Sequence, residues 1–201
     1  MATINLFGAS GHAKVIMDII EAHGDYVGSL FDDAPHCPEI HGYPVFKACD
    51  VTVTGPMIIS IGSNKIRKLL SERYPLKFAT AIHPLSVVSP SATIDTGTVV
   101  MQSALIQADA KIGKHCIINS GASIDHECKI EDFVHISPHA TLCGNVHVGE
   151  GSWIGAGATV IPGIKIGRWC TIGAGSVVIR DIPDGATAYG NPAKVVRSIA
   201  D

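Results

Sequence analysis

Apolar side chains recur every six residues through the second half of the chain. Val88, Ile94, Val100, Ile106, Ile112, Ile118, Ile124, Ile130, Ile136, Leu142, Val148, Ile154, Val160, Ile166, Ile172 and Val178 keep the beat without a gap. Four residues after each comes a small or modest side chain, as at Ala92, Thr98, Ala104, Ala110, Cys116, Ala122, Cys128, Ala158, Cys170 and Ser176. The residue directly after the aliphatic one is often Gly or Asn, at Gly113, Asn119, Gly149, Gly155, Gly167 and Gly173. These two types accept positive φ most readily. A period of six fits neither a helix nor a hairpin meander and is the short-period signature of a parallel β-helix. Three hexads then close one triangular coil, and residues one coil apart stack at about 4.8 Å. The aliphatic residues should fill the interior, the small ones the corners, and Gly or Asn the strained backbone.

The first eighty residues follow a different pattern. Thr3 to Phe7 reads as a strand, Gly8 to His12 as a glycine-bearing turn, and Ala13 to Ala22 as a helix with Val15, Ile16, Ile19 and Ile20 on one face. A second strand, Tyr26 to Phe31, ends at Asp32 and Asp33, and a turn-rich, exposed loop follows from Ala34 to Pro44. Met57 to Ile61 reads as a strand ending at Gly62, Asn64 to Arg73 as a helix, and Phe78 to Ile82 as a further strand. This alternation predicts a small Rossmann-like α/β domain with a parallel sheet over residues 1–82, joined at His83 and Pro84 to a β-helix domain with a C-terminal tail over 83–201.

The turn in GASGHAK places Gly8 and Gly11 before a helix whose free amides could meet a phosphate, but the full GxGxxG spacing is missing. A purely structural turn therefore stays open. Asp32 at the end of the next strand lies where an open parallel sheet presents groups to a ligand, and the domain has room for one mononucleotide half.

Composition narrows the classes. The 201 residues are 46% hydrophobic without an apolar run approaching the ~20 residues of a membrane span, and no signal-peptide pattern opens the chain, so a cytoplasmic protein is expected. A formal net charge of -3 argues against a nucleic-acid partner. Cys116, Cys128 and Cys170 fall in the small interior slot and read as reduced core residues; Cys37, Cys49 and Cys143 fall elsewhere. No metal-ligand spacing occurs, and no metal is expected.

The run VGEGSWIGAGATVIPGIKIGRWCTIGAGSVV resembles the hexapeptide-repeat acyltransferases, whose fold is a left-handed parallel β-helix. Together with GASGHAK, the strand ending FDD, ISIGSNKIRK, IDHE and the tail YGNPAK, it resembles the bacterial nucleotide-aminosugar N-acetyltransferases, a group related to the sialic acid O-acetyltransferases. The resemblance implies a nucleotide sugar in the N-terminal domain at Ser10, Gly11, His12, Asp32, Asp33 and Gly62. It implies acetyl-coenzyme A as cosubstrate in the groove between neighbouring prisms of a homotrimer. Matching IDHECKIEDFVHIS to the family pattern makes His126 the general base, Glu127 its orienting partner and His135 a contact to acetyl-coenzyme A. Gly144 would offer its amide to the thioester carbonyl, Ala156 and Ala174 would line the pantetheine channel, and Lys194 would lie in the tail that closes over the adenine end. Relatives commonly carry Gly in the place of His139, so an imidazole enters where the backbone usually lies bare.

Acetyl transfer to an amine needs a proton acceptor and donors for the developing oxyanion. His126 and Glu127 fall outside the inward positions of their hexad, so both can face out of the prism, and a carboxylate on one ring nitrogen would fix the tautomer. By position alone His126 could equally be a surface histidine beside His115, His135, His139 and His147. Asn119 is either at the mouth of the site or a left-handed corner residue, and the rhythm favours the corner. Arg180, Lys194 and Arg197 are the cations available to coenzyme phosphates, and Val195 to Ile199 reads as a short terminal helix. Phe133 and Trp153 are outward apolar residues compatible with contacts between prisms. The favoured activity is N-acetylation of a UDP-linked 4-amino-4,6-dideoxy sugar. O-acetylation of sialic acid or another sugar hydroxyl, and a non-catalytic binding or scaffold module, are the alternatives.

Overall fold

The computed structural model describes residues 1–48, 55–74 and 76–197. Its long part is the three-sided parallel β-helix that the rhythm requires. Each side of a coil is a two-residue strand made of the aliphatic residue and the one before it, such as Ile117–Ile118, Ser123–Ile124 and Lys129–Ile130. Parallel partners lie one coil apart: Ile118 pairs with Val100 and Ile136, Ile124 with Ile106 and Leu142, and Ile130 with Ile112 and Val148. The aliphatic positions from Val100 to Val178 are at most 2% exposed and form one continuous core with Ala104, Ala110, Cys116, Ala122, Cys128 and Cys170. The three thiols are packed donors, to the carbonyls of Glu131 (3.1 Å), Cys143 (3.2 Å) and Pro183 (3.0 Å). Burial pushes the Cys116 thiol up to about 12, which keeps it protonated and unreactive.

The strained corner lies elsewhere than the sequence suggested. Positive φ falls three residues after every aliphatic position from Ile94 to Ile172, for example at His115 (53°), Gly121 (65°), Glu127 (59°), Phe133 (60°), His139 (56°) and Asn145 (57°), and at none of the residues directly after them. The glycines directly after the aliphatic positions answer a different need, the close passage of the next coil. A Cβ on Gly149 would lie 2.7 Å from the Arg168 nitrogen, and one on Gly155 would lie 2.6 Å from that of Ala174. Asn119 is accordingly not a left-handed corner.

The N-terminal domain is built from β1 (Thr3–Phe7), α1 (Gly11–Ala22), β2 (Tyr26–Asp32), β3 (Glu39–Ile40), β4 (Tyr43–Lys47), β5 (Met57–Ile59) and α2 (Asn64–Arg73). The sheet order is β3-β4-β2-β1-β5, parallel except for the hairpin of β3 and β4. That hairpin takes up residues 39–44 of the loop expected over 34–44, while 34–38 carries no strand and most of the stretch is exposed as expected. His41 (φ 51°) and Gly42 (φ 82°) close the hairpin as a two-residue turn, and Ile40 is tucked in at 6% exposure. The segment 78–82 is shared out: Phe78 bridges Met57, while Ala81–Ile82 pairs with Val99–Val100 and opens the prism one hexad before Val88.

The N-terminal domain packs on one prism face. Ile16, Met17 and Ile20 of α1 form a core cluster with the outward residues Val99, Met101 and Ile117. α2 covers the adjoining corner, which buries Phe133 to 8% exposure, stacked on His115 with ring centroids 5.3 Å apart. Phe133 is therefore used within the chain and is not free for a neighbouring prism, whereas Trp153 stays 49% exposed. At the C-terminus, Ala193–Arg197 is a strand paired antiparallel with Thr187–Gly190, so the helix expected from Val195 does not form there; Ser198, Ile199 and Cys49 lie outside the described residues. No helix among the described residues is long and apolar enough to cross a membrane.

Candidate active site

His126 and Glu127 sit in the turn between the strands Ser123–Ile124 and Lys129–Ile130, on an open corner of the prism. Glu127 is itself the left-handed residue of that corner (φ 59°), which turns its carboxylate back towards its neighbour. The Nδ1–H of His126 donates to Glu127 Oε2 at 3.1 Å, leaving Nε2 with its lone pair. One coil further on, Gly144 lies against the ring: a Cβ there would be 2.6 Å from His126 Cε1 and Nε2. Its N–H donates to no protein acceptor among the described residues, while its carbonyl accepts from the Gly163 N–H at 3.0 Å. A proton acceptor and an unused amide donor thus stand side by side, which is the minimum that acyl transfer requires.

The second group of candidates belongs to the N-terminal domain. Ser10 and Gly11 begin α1 and line a pocket of about 290 Å³ with Lys14, Cys37, Glu39 and His41. Asp32 holds the loops of this pocket: its carboxylate accepts from the N–H groups of Ala9 and Ala34, both at 2.9 Å. Gly8 is required beneath it, with φ at 113° and a Cβ position 2.7 Å from Ile61 Cγ1. Asp33 points away to Arg73 at 3.7 Å.

His135 faces this domain from the prism side. With Gly62, Ser63, Trp153 and Trp169 it lines a cavity of about 500 Å³ between the loop before α2 and the prism wall. The Nδ2 of Asn119 donates to His135 Nε2 at 3.1 Å, and Trp153 stacks on the ring while donating to Ser137 Oγ at 2.7 Å. Burial, with Arg67 and His12 adding to it, brings His135 down to about 3; burial and Arg67 bring His12 down to about 4, and its Nε2 is buried without a partner. Both imidazoles are therefore neutral at physiological pH. Asn119 was the residue that the sequence reading misplaced. Its signal is a spacing of sixteen, which recurs at Glu131 with His147 and at Ser137 with Trp153 and marks diagonal neighbours on one face.

A single chain does not gather these groups. His126, Glu127 and Gly144 lie at the corner leaving the sheet of Leu105, Ser123 and Thr141, whereas His135 belongs to the sheet of Ile117 and Trp153 that carries the N-terminal domain. Ala156 and Ala174, whose N–H groups also donate to no protein acceptor among the described residues, occupy the corner between those two sheets, next to the exposed His139. Lys194 projects, exposed, from the terminal hairpin. Among the described residues no cluster of His, Cys, Asp or Glu could hold a metal ion.

Two family models match separate stretches of the chain. Residues 3–74 match the PglD N-terminal domain family, and residues 145–180 match the bacterial transferase hexapeptide (six repeats) family. The chain is 44% identical over 120 residues to UDP-N-acetylbacillosamine N-acetyltransferase of Bacillus subtilis, a match covering 50% of this chain and 52% of that protein, so it spans about half of the curated relative's length. A histidine-to-asparagine variant of perosamine N-acetyltransferase from Caulobacter crescentus, in complex with CoA and GDP-perosamine, superposes with a TM-score of 0.93 at 36% identity over 98% of both chains. The acetyltransferase domain of PglB from Neisseria gonorrhoeae, in complex with acetyl coenzyme A, superposes with a TM-score of 0.90 at 37% identity, covering 97% of this chain and 99% of that one.

Proposed function

Because the chain belongs to the nucleotide-aminosugar N-acetyltransferases of the left-handed β-helix, hexapeptide-repeat type, we propose that it acetylates the amino group of a UDP-linked 4-amino-4,6-dideoxy sugar, with acetyl-coenzyme A as donor. The observation that carries the reading is the contact of His126 with both Glu127 and Gly144. In this mechanism the sugar amine attacks the thioester carbonyl carbon and its proton passes to His126 Nε2. Glu127 stabilises the imidazolium formed, and the Gly144 amide takes up charge on the carbonyl oxygen. Collapse breaks the carbon–sulfur bond, and the departing thiolate recovers the proton from His126. The amide product and free coenzyme A leave the enzyme as it began.

The proposed substrate residues of the N-terminal domain, Ser10 and Gly11 in one pocket and Gly62 in the cavity beside His135, with His12, Asp32 and Asp33 on the same domain, lie over a different prism face from His126. A homotrimer resolves this, because the His126 corner of one copy can meet the domain-bearing face of the next, with acetyl-coenzyme A in the cleft along Ala156, Ala174 and His135 and its phosphates near Lys194. A UDP base follows the Bacillus relative, and a GDP base the Caulobacter one. The deciding experiment incubates the protein with acetyl-coenzyme A and UDP- or GDP-linked amino sugars beside free sialic acid, and follows thiol release with mass analysis of the product. Amide formation on a UDP-amino sugar is expected. Turnover confined to sialic acid would replace this reading by O-acetylation, and no turnover on any acceptor would leave a binding module.

A further inference from the structure

Arg67 is the most unusual side chain outside the sites described above. It is 1% exposed, and no carboxylate pairs with it among the described residues. Burial lowers it to about 10, which still leaves it charged at neutral pH. A buried cation without an acid is costly unless every donor is satisfied, and here all of them are. Nε donates to the His115 carbonyl at 2.7 Å; one terminal nitrogen donates to the carbonyls of Ile61 (2.9 Å) and Gly62 (3.2 Å), and the other to Asn64 Oδ1 (2.8 Å) and the Phe133 carbonyl (3.0 Å). Asn64 continues the pattern by donating to the carbonyls of Gly151 (3.0 Å) and Ser152 (3.2 Å). His115, Phe133 and Gly151 are the left-handed corners of three consecutive coils. One guanidinium and one amide therefore fix the loop at residues 61–64 onto a column of corner carbonyls.

We propose that Arg67 is a positioning residue for the nucleotide-sugar site: it clamps the Gly62 loop to the prism and so fixes the wall of the cavity opposite His135. The proposal rests on the reading that this cavity and Gly62 serve the nucleotide sugar. Lys, the nearest substitute, keeps the charge but has three donors on one atom and cannot span acceptors on both the loop and two coils. The loop would then loosen, while the part of the coenzyme groove along the Ala156 and Ala174 corner, which Arg67 does not touch, stays as it was.

The test uses the full chain with Arg67→Lys, and Lys68→Met as a control for general weakening of α2, since Lys68 pairs with Glu150 and lies over the Phe133 and Trp169 rings without reaching the cavity. For Arg67→Lys we expect exchange of the backbone amide at position 67, which donates to the Ser63 carbonyl at 2.9 Å, to accelerate about tenfold, KM for the nucleotide sugar to rise about 10- to 100-fold, and KM for acetyl-coenzyme A to stay within about threefold. Lys68→Met should lower Tm and leave both KM values near wild type. Unchanged exchange of that amide, or a fall in Tm with both KM values unaltered, would overturn the proposal. Faster exchange in Arg67→Lys together with a wild-type protein that acetylates no nucleotide sugar would uphold the clamp and sink the substrate reading instead.

Discussion

Replacing Gly144 by Ala tests the active corner with a single methyl group. The added Cβ would lie 2.6 Å from Cε1 and Nε2 of His126, against an ordinary carbon contact of about 3.5–4.0 Å, so the ring must retreat by about 1 Å. It can do so cheaply. The His126 side chain is 57% exposed and held by one bond to Glu127, and Gly144 lacks the positive φ that would strain an Ala. The stability cost should thus be about 0.5 kcal/mol, the scale of an ordinary surface change. Catalysis has no such slack: misplacing a reacting group by about 1 Å costs on the order of 10²-fold, and the methyl also crowds the amide proposed as donor to the thioester oxygen. Thiol release under saturating acceptor should fall about 100-fold or more, with Tm lowered by no more than about 2 °C. Gly24→Ala is the converse control. Its φ of 88° strains an Ala at the end of α1, where a Cβ meets nothing within 4 Å, so Tm should fall and turnover should not. Turnover of Gly144→Ala within about threefold of wild type would refute the placement of base and donor at this corner.

Two further outcomes concern the fold. Ile136→Ala empties a fully buried position in the interior column and should cost about 2–5 kcal/mol in denaturant unfolding. His12, His115 and His135 are all lowered, chiefly by burial, to about 4, 4 and 3 from 6.5. Below pH 6.5 the unfolded chain binds protons that the folded one refuses, so stability present above 6.5 should drain away as pH falls towards 4, at about 1.4 kcal/mol per pH unit for each histidine. His115→Phe keeps the stack on Phe133 and removes the buried, unpartnered Nδ1. It should reduce this acid sensitivity by one histidine's share, as read from denaturant midpoints across that range.

The prism was legible because its interior is one-dimensional: a coil admits only an aliphatic side chain at each sixth position, and Ile118, Ile136 and Ile154 stack as that rule demands. The corners were misread because glycine signals close approach as well as positive φ. At Gly149 and Gly155 it marks the former, while the strained positions mix Gly121, Gly151 and Asn145 with His115, Glu127, Phe133 and Trp169, types that announce no turn. Phe133 looked outward because its burial depends on where α2 docks, a long-range fact with no local pattern. The tail was ambiguous for its length, and pairing with Thr187–Gly190 decided for a strand. Within the site, His126 and Glu127 were readable as neighbours, whereas the contact of Asn119 with His135 needed the sixteen-residue diagonal, and Arg67 gave no sign among the other cations.

The most direct measurement is turnover of His126→Ala on the UDP-linked amino sugar, with the variant's Tm recorded alongside. The account predicts acetyl transfer reduced about 10²- to 10⁴-fold in a protein as stable as wild type, because this ring is exposed and contributes little packing. A folded variant that forms the amide at close to the wild-type rate would contradict it.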